Sequence, residues 1–228
     1  MSSPKILALD CSTEYCSVAL QFGNVVSAKD ERAGQRHSEI LLPMIDVVLA
    51  QASTSLKNLD AIAFGAGPGS FTGLRIACGV SQGLAFGAGL PVIAIPTLLA
   101  LAQTMKDDRV LTVLDARMGE IYLAAYERIA SEWRLTIAPC LCKPKTAPML
   151  PDGTWAGVGS GFATYDDALA LRYGKQLGSV DSKGYPHATQ IAQLAAERMS
   201  EAVYAEKALP LYIRDKVAFT ESERGAMK

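Results

Sequence analysis

Between Ala61 and Met105 the chain runs for 45 residues with a single charged side chain, Arg75. A segment this apolar must lie in a membrane, in a core covered on all sides, or against another protein. A membrane-spanning helix needs about 20 uninterrupted apolar residues. Here the run is cut by Gly67-Pro68-Gly69-Ser70, by Gly89-Leu90-Pro91 and by Pro96, and Ser81 and Gln82 interrupt its best helical piece. A deep core or a large partner interface is therefore the expectation, and no membrane. Half of the 228 residues are apolar and a fifth are charged, the balance of a folded globule rather than a disordered chain. With 22 basic against 23 acidic residues, a broad basic face for autonomous nucleic-acid binding is not expected. RNA contact through a partner remains open.

Periodicity organises the chain. Apolar stretches at 5–11, 16–21 and 24–30 read as strands, with Phe22-Gly23-Asn24 as a hairpin turn. Ile40, Leu41, Met44, Ile45, Val48 and Leu49 recur at helical spacing and predict a helix over 37–52. A strand at 59–65, a helix at 71–87, a strand at 91–95 and a helix at 97–105 follow. The order βββαβαβα predicts a mixed sheet with helices on its faces, an α/β layered structure. At Lys106-Asp107-Asp108-Arg109 the apolar run stops, which divides the chain into lobes at 1–105 and 106–210 with a closing segment at 211–228, polar and frayed from Lys216. Strands at 110–115, 120–127 and 133–138 open the second lobe as the first three open the first. LALD at 7–10 and TVLD at 112–115 each end an apolar strand in Asp, which suggests an internal duplication. A strand at 154–158 and helices at 161–172 and 187–203 complete that lobe.

Several short motifs have the residue types that chemistry needs. Asp10-Cys11-Ser12-Thr13 follows a buried strand, where a carboxylate holds a hydrated cation or caps its own turn. Gly65 to Arg75 (GAGPGSFTGLR) lets the backbone approach a ligand closely, and Ser70 caps the helix behind it. No Gly-Lys-Ser/Thr ends this loop, so it is not a Walker loop; a ligand-free turn reads equally well. Asp115 to Glu120 is either a second such loop or a plain hairpin. In the helix at 71–87, Gly79, Gly83 and Gly87 stand four apart, as do Gly73, Ala77, Ser81 and Ala85. Each glycine costs a helix about 1 kcal/mol relative to alanine, and small residues at this spacing let another helix come close. His37-Ser38 are sequence neighbours that point different ways on a helix, a poor nucleophile–base pair. The five cysteines (Cys11, Cys16, Cys78, Cys140, Cys142) are odd in number and irregularly spaced, as for thiols kept reduced in cytosol. MSSPKILALD has none of the marks of a secretory signal, and nothing completes a zinc site around Cys140 and Cys142.

Taken together, LALDCSTEYCSVAL at 7–20, RHSEILLPMI at 36–45, GPGSFTGLRIACGVSQGLA at 67–85, IPTLLALA at 95–102 and VLDARMGEIYLAAY at 113–126 resemble the TsaB (YeaZ) family. LPLYIRDKVA at 209–218 resembles its closing segment. That family is a bacterial subunit of the machinery making threonylcarbamoyladenosine in tRNA. The resemblance implies the two-lobed actin/Hsp70/sugar-kinase-like (ASKHA) α/β fold, each lobe a mixed sheet with helices. It implies that catalysis belongs to a paralogue, TsaD, which transfers threonylcarbamoyl to N6 of the adenosine 3′ of the anticodon. TsaD uses a metal held partly by two histidines four apart on a helix, and Thr97 and Leu101 fall at those positions here. Arg36-His37-Ser38-Glu39 resembles the segment behind a glycoprotease label.

The implied role is a non-catalytic cytoplasmic subunit that binds TsaD as a heterodimer, with TsaE as a third component, a homodimer when alone, and tRNA only indirectly. The expected partner face is the helix pair at 37–52 and 71–87, through His37, Leu41, Met44, Ile45, Val48, Gly73, Ala77, Val80, Gly83 and Leu84. Asp10, Ser12, Thr13, Gly67, Gly69 and Ser70 are candidate vestigial nucleotide loops. The chain alone requires no cofactor, while ATP or ADP and Mg belong at the complex interface. The alternatives are a nucleotide-binding or nucleotide-hydrolysing ASKHA enzyme using Asp10 and Asp115, and a glycoprotease-like peptidase.

Overall fold

Two five-stranded sheets carry the chain in a computed structural model that describes residues 3–23 and 25–214. The first contains β1 (Lys5–Asp10), β2 (Tyr15–Phe22), β3 (Val25–Arg32), β4 (Ala61–Gly67) and β5 (Val92–Pro96), in the order β3-β2-β1-β4-β5. β1, β2 and β3 form an antiparallel meander, and β4 and β5 join parallel to β1. The second contains β6 (Arg109–Asp115), β7 (Ile121–Ile129), β8 (Glu132–Cys142), β9 (Trp155–Val158) and β10 (Leu177–Asp181). Its order is β8-β7-β6-β9-β10, with the same strand directions. The duplication hinted at by LALD and TVLD thus extends to every strand. This repeated mixed sheet is the two-lobed architecture that the sequence resemblance implies.

Six helices make the remaining layers. α1 (His37–Gln51) and α2 (Phe71–Ala88) cover the outer face of the first sheet. α3 (Thr97–Ala102) and α6 (Ala188–Glu197) lie between the sheets, and α4 (Gly161–Thr164) and α5 (Asp166–Tyr173) cover the outer face of the second. The alternation within β1 sets this order, since successive strand residues face opposite sides. Leu7 and Leu9 point outward to Leu41, Met44 and Val48, together with Ile62 and Phe64. Ile6 and Ala8 point inward with Ala19, Ala61 and Ala63. An inner face built largely of alanine leaves room for Leu98 and Leu101 of α3 and for Ile191 and Leu194 of α6.

All six residues of α3 are buried. A helix apolar on every side must be covered on every side, and a position between two sheets provides that. The same cluster continues to Val110, Leu114, Tyr122 and Tyr126 of the second sheet, so the lobes share a core. Every residue of β4 is also buried. Most of the apolar excess between Ala61 and Met105 is therefore interior.

Three expectations need correction. The helix at 187–203 ends at Glu197 and packs on β1, β2 and β4 of the first sheet rather than completing the second lobe. Its start is tied down by the Ala188 N–H, which donates to Ser17 Oγ at 2.8 Å. β1 is buried on both faces and needs a cover that the first hundred residues do not fully supply; periodicity shows that a helix is amphipathic, not which sheet it covers. The helix at 161–172 is interrupted at Tyr165. β10 was not expected, because its residues are mostly exposed and show no alternation. Asn24 of the expected hairpin turn and the tail from Lys216 lie outside the described residues. Among the described residues no helix is long and apolar enough to cross a membrane.

Candidate functional site

Parallel pairing of β1 with β4 brings Asp10 and the loop after Gly67 to one end of the first sheet. The pairing of β6 with β9 does the same for Asp115 and Ser160 in the second. The two ends face each other across an interlobe cleft of about 1060 Å³, whose lining includes Ser12, Thr13, Gly69, Ser70, Asp115 and Ser160. Of the residues proposed from sequence as nucleotide loops, four meet in this cleft. Asp10 is buried beneath it and does not line it.

The local bonds show what the loops are doing. The Ser12 N–H and hydroxyl both donate to Asp10 Oδ1, at 3.0 and 2.8 Å, a side-chain turn of the kind Asp makes with residues just ahead of it. The Ser70 N–H donates to the Ser12 carbonyl at 2.7 Å and joins the two loops. Ser70 Oγ accepts from the Gly73 N–H at 3.3 Å and caps α2. A Cβ at Gly69 would lie 2.5 Å from the Ser12 carbonyl oxygen, and one at Gly73 only 1.8 Å from that of Cys11. The loop is rich in glycine because it meets the β1–β2 turn backbone against backbone. The Gly67 N–H donates to Thr97 Oγ1 at 2.9 Å.

Burial pushes Asp10 up to about 7, against the opposing hydrogen bonds from Ser12. Its Oδ2 has no partner and lies against Gly65, where a Cβ would come within 1.9 Å. The neighbouring charges are His187 and Asp30, themselves paired at 3.1 Å. Asp115 is engaged as well. Its oxygens accept from the Arg117 N–H, the Arg117 guanidinium and the Tyr165 hydroxyl at 2.8, 3.1 and 3.1 Å. Asp10 is buried beneath the cleft rather than in its lining, and Asp115 is already paired, so neither presents a free carboxylate to a magnesium–phosphate group. Among the described residues no group of three or more His, Cys, Asp or Glu is placed to hold a metal. Gly157 in β9 and Gly161 at the start of α4 are packed against Phe162 and Val113.

The other candidates separate. His37 is buried with Nε2 3.3 Å from the Tyr15 carbonyl, while Ser38 is exposed, so the two form no catalytic pair. Thr97 and Leu101 are fully buried, the first accepting from Gly67 and the second packed beside Gly159.

The expected partner face needs the largest correction. His37, Leu41, Met44, Ile45, Val48, Gly73 and Ala77 are buried against the chain's own sheet. The helical periodicity that singled them out is the signature of the stripe a sheet covers. Val80 and Leu84 are half-buried, and Gly83 is exposed. The outward face instead shows Leu42 (48% exposed), Val47 (38%) and Phe86 (80%). Gly79, Gly83 and Gly87 have nothing within 4 Å of a would-be Cβ. The missed signal was these three large apolar residues standing off the core stripe.

Sequence reading also missed a strap. Val203 bridges to Val92, the Ala208 carbonyl accepts from Gln82 at 2.9 Å, and the Leu211 N–H donates to Ala66 at 2.7 Å. Arg75, the lone charge of the apolar run, stacks 3.6 Å from the centre of the Phe71 ring and donates to the Tyr212 hydroxyl at 3.0 Å. Arg214 then reaches the second lobe at Glu120, 2.6 Å away.

Comparison with known proteins places this arrangement. A protein-family profile described as "TsaD: tRNA N6-adenosine threonylcarbamoyltransferase" matches residues 22–221. The Escherichia coli K12 protein named tRNA threonylcarbamoyladenosine biosynthesis protein TsaB is 38% identical over 230 residues, covering 94% of this chain and 96% of that protein. The Haemophilus influenzae protein of the same name is 37% identical, covering 96% and 97%. The solved structure described as "YeaZ from Pseudomonas aeruginosa" is 40% identical, the match covers 93% of this chain and 100% of that one, and the two superpose with a TM-score of 0.85. Identity at this level across almost the whole length, with the fold in agreement, means that the chain belongs to the TsaB (YeaZ) family.

Proposed function

We propose that this chain is a non-catalytic subunit of threonylcarbamoyladenosine biosynthesis, binding TsaD for threonylcarbamoyl transfer to N6 of the adenosine 3′ of the tRNA anticodon. The observation that carries the non-catalytic part is the state of Thr97 and Leu101. At the positions where the transferase resemblance calls for metal-binding histidines stand a hydroxyl bonded to Gly67 and a leucine in the shared core. Neither ligates a metal as imidazole does. The paired Asp115 of the cleft supports the same reading.

The partner surface in this proposal is the outward side of α1 and α2, where Leu42, Val47 and Phe86 are exposed and Gly79, Gly83 and Gly87 are open. Exposed large apolar side chains favour burial against a partner, and a helix without side chains at Gly79, Gly83 and Gly87 accepts a partner helix at close range. The same face closes as a homodimer when TsaD is absent. TsaE is a third component, tRNA is held mainly by the assembly, and ATP or ADP with Mg belongs at the seam rather than in this chain. The tRNA substrate puts the work in the cytoplasm.

Reconstitution with purified TsaD and TsaE tests the role. Transfer is expected to collapse without this chain and to persist with Asp10→Ala. Nucleotide hydrolysis by the isolated chain that disappears in Asp10→Ala would instead establish the enzymatic alternative. Gly83→Leu tests the seam: the side chain enters open space, so the monomer stays folded while co-elution with TsaD is lost. Normal co-elution would move the interface elsewhere.

A further inference from the structure

The chain holds 23 acidic residues, yet neither the stretch from Trp133 to Pro151 nor that from Ala168 to Val180 contains one. The fold packs these two stretches together on the second lobe. Arg172 Nε donates to the Ala147 carbonyl at 2.7 Å, the Tyr173 hydroxyl to the Pro148 carbonyl at 3.0 Å, and Gln176 Nε2 to the Pro151 carbonyl at 3.2 Å. Lys143 and Lys145 flank Pro144 on one side of this junction. Arg172 and Lys175 stand at and just past the end of α5 on the other. The three lysines are exposed, and Arg172 is half-buried. The bordering carboxylates are placed elsewhere or already engaged. Glu120 lies one step of register beyond the Ile121–Cys142 pair, opposite Lys143, but it is 2.6 Å from Arg214. Asp166 and Asp167 open α5, at the far end from Arg172. Asp152 bounds the patch after Pro151.

We propose that Lys143, Lys145, Arg172 and Lys175 contact the phosphate backbone of the tRNA, so that this chain supplies part of the RNA-holding surface of the assembly. The inference rests on the proposed role in threonylcarbamoyl transfer, which brings tRNA to the complex. The residue types favour RNA over an acidic protein. Lysine is depleted from protein–protein interfaces, which take arginine and aromatic residues instead. A flexible, hydrated ammonium is suited to a phosphate backbone, where each neutralised phosphate releases condensed counterions. The patch is small: four such contacts give a log–log salt dependence of about −3, against about 6–10 contacts where binding is strongly salt-dependent. It therefore adds to the grip of the assembly without making a near-neutral chain an RNA binder by itself. The proposed seam with TsaD uses α1 and α2 on the first lobe, whereas this patch lies on the second, so the two surfaces do not compete.

Fluorescence anisotropy of a labelled tRNA transcript, titrated with the reconstituted TsaD complex at several KCl concentrations, tests this. The double variant Lys145→Gln, Lys175→Gln changes two exposed side chains. It is expected to weaken binding about tenfold at about 0.1 M KCl and to flatten the salt dependence by about 2, about 1 for each lysine. The tRNA KM in the transfer assay should rise in step. Lys57→Gln with Lys106→Gln removes the same charge at exposed positions outside the patch and should leave binding near that of the parent. An unchanged salt dependence and KM in a patch variant that still co-elutes with TsaD would overturn the proposal. An equal loss in the control pair would also overturn it, as a general effect of net charge. Leu171 is 85% exposed beside Arg172; if Leu171→Ser or the patch pair releases a protein component while tRNA affinity holds, the patch docks protein and the proposal fails. Failure of the unsubstituted chain to support transfer is a separate result, which would remove the proposed role and this inference with it.

Discussion

Asp10 is fully buried with one oxygen bonded to Ser12 and the other unpartnered. Its rise from 3.8 to about 7 means that the folded chain holds the proton more tightly than the unfolded one. The sign follows from linkage: unfolding releases a proton between those two values, so the stability that Asp10 contributes is greatest below pH 4, falls as pH rises, and levels off above pH 7. A shift of about 3 units at about 1.4 kcal/mol each amounts to about 4 kcal/mol in all. Asp10→Asn keeps an oxygen to accept from Ser12 and removes the titration. Urea unfolding of both proteins, followed by far-ultraviolet circular dichroism at about pH 5 and about pH 8.5, isolates this group because every other titration cancels in the difference. The variant should gain on the parent by about 3 kcal/mol between the two conditions. A pH-independent difference would refute the buried, closed-off carboxyl. A slope abolished by added magnesium would show that Asp10 does reach a cation, and would revive the nucleotide-enzyme alternative.

Two glycines of one helix should behave oppositely. Gly73→Ala drives a Cβ into the Cys11 carbonyl and should cost about 3 kcal/mol or more, whereas Gly79→Ala enters open space in mid-helix and should gain about 1 kcal/mol; urea midpoints measure both. Equal effects would mean that α2 does not pack on the β1–β2 turn as described. Thr97→Val leaves the buried Gly67 N–H without its acceptor and should cost about 1–3 kcal/mol. A neutral result in thermal melts would show that this N–H finds another partner.

The sequence alone determined most of the elements and pointed to their duplication. Strand and helix periods are local, set by the 2.0 and 3.6 residue repeats of the backbone, so α1, α2 and the first meander could be read to within a residue or two, while β8 runs four residues past its expected end. Family membership was legible for a similar reason, because GPGSFTGLR is a contiguous string. What the string is for was not legible: Gly69 and Gly73 are there to meet Ser12 and Cys11, a contact between segments about 60 residues apart.

Only the tertiary structure decided which apolar residues are core and which are surface. Leu41 and Leu42 are identical side chains on neighbouring positions of α1, yet the first is fully buried and the second is 48% exposed. Their hydropathy is the same; the difference is which side of the helix the first sheet occupies. In the same way, the apolar run that contains α3 fitted a deep core or a partner interface equally well, and two sheets enclose that helix. The chain's apolarity states that area must be hidden from water, and the packing of distant strands determines how much its own fold hides and how much, as at Phe86, it leaves exposed.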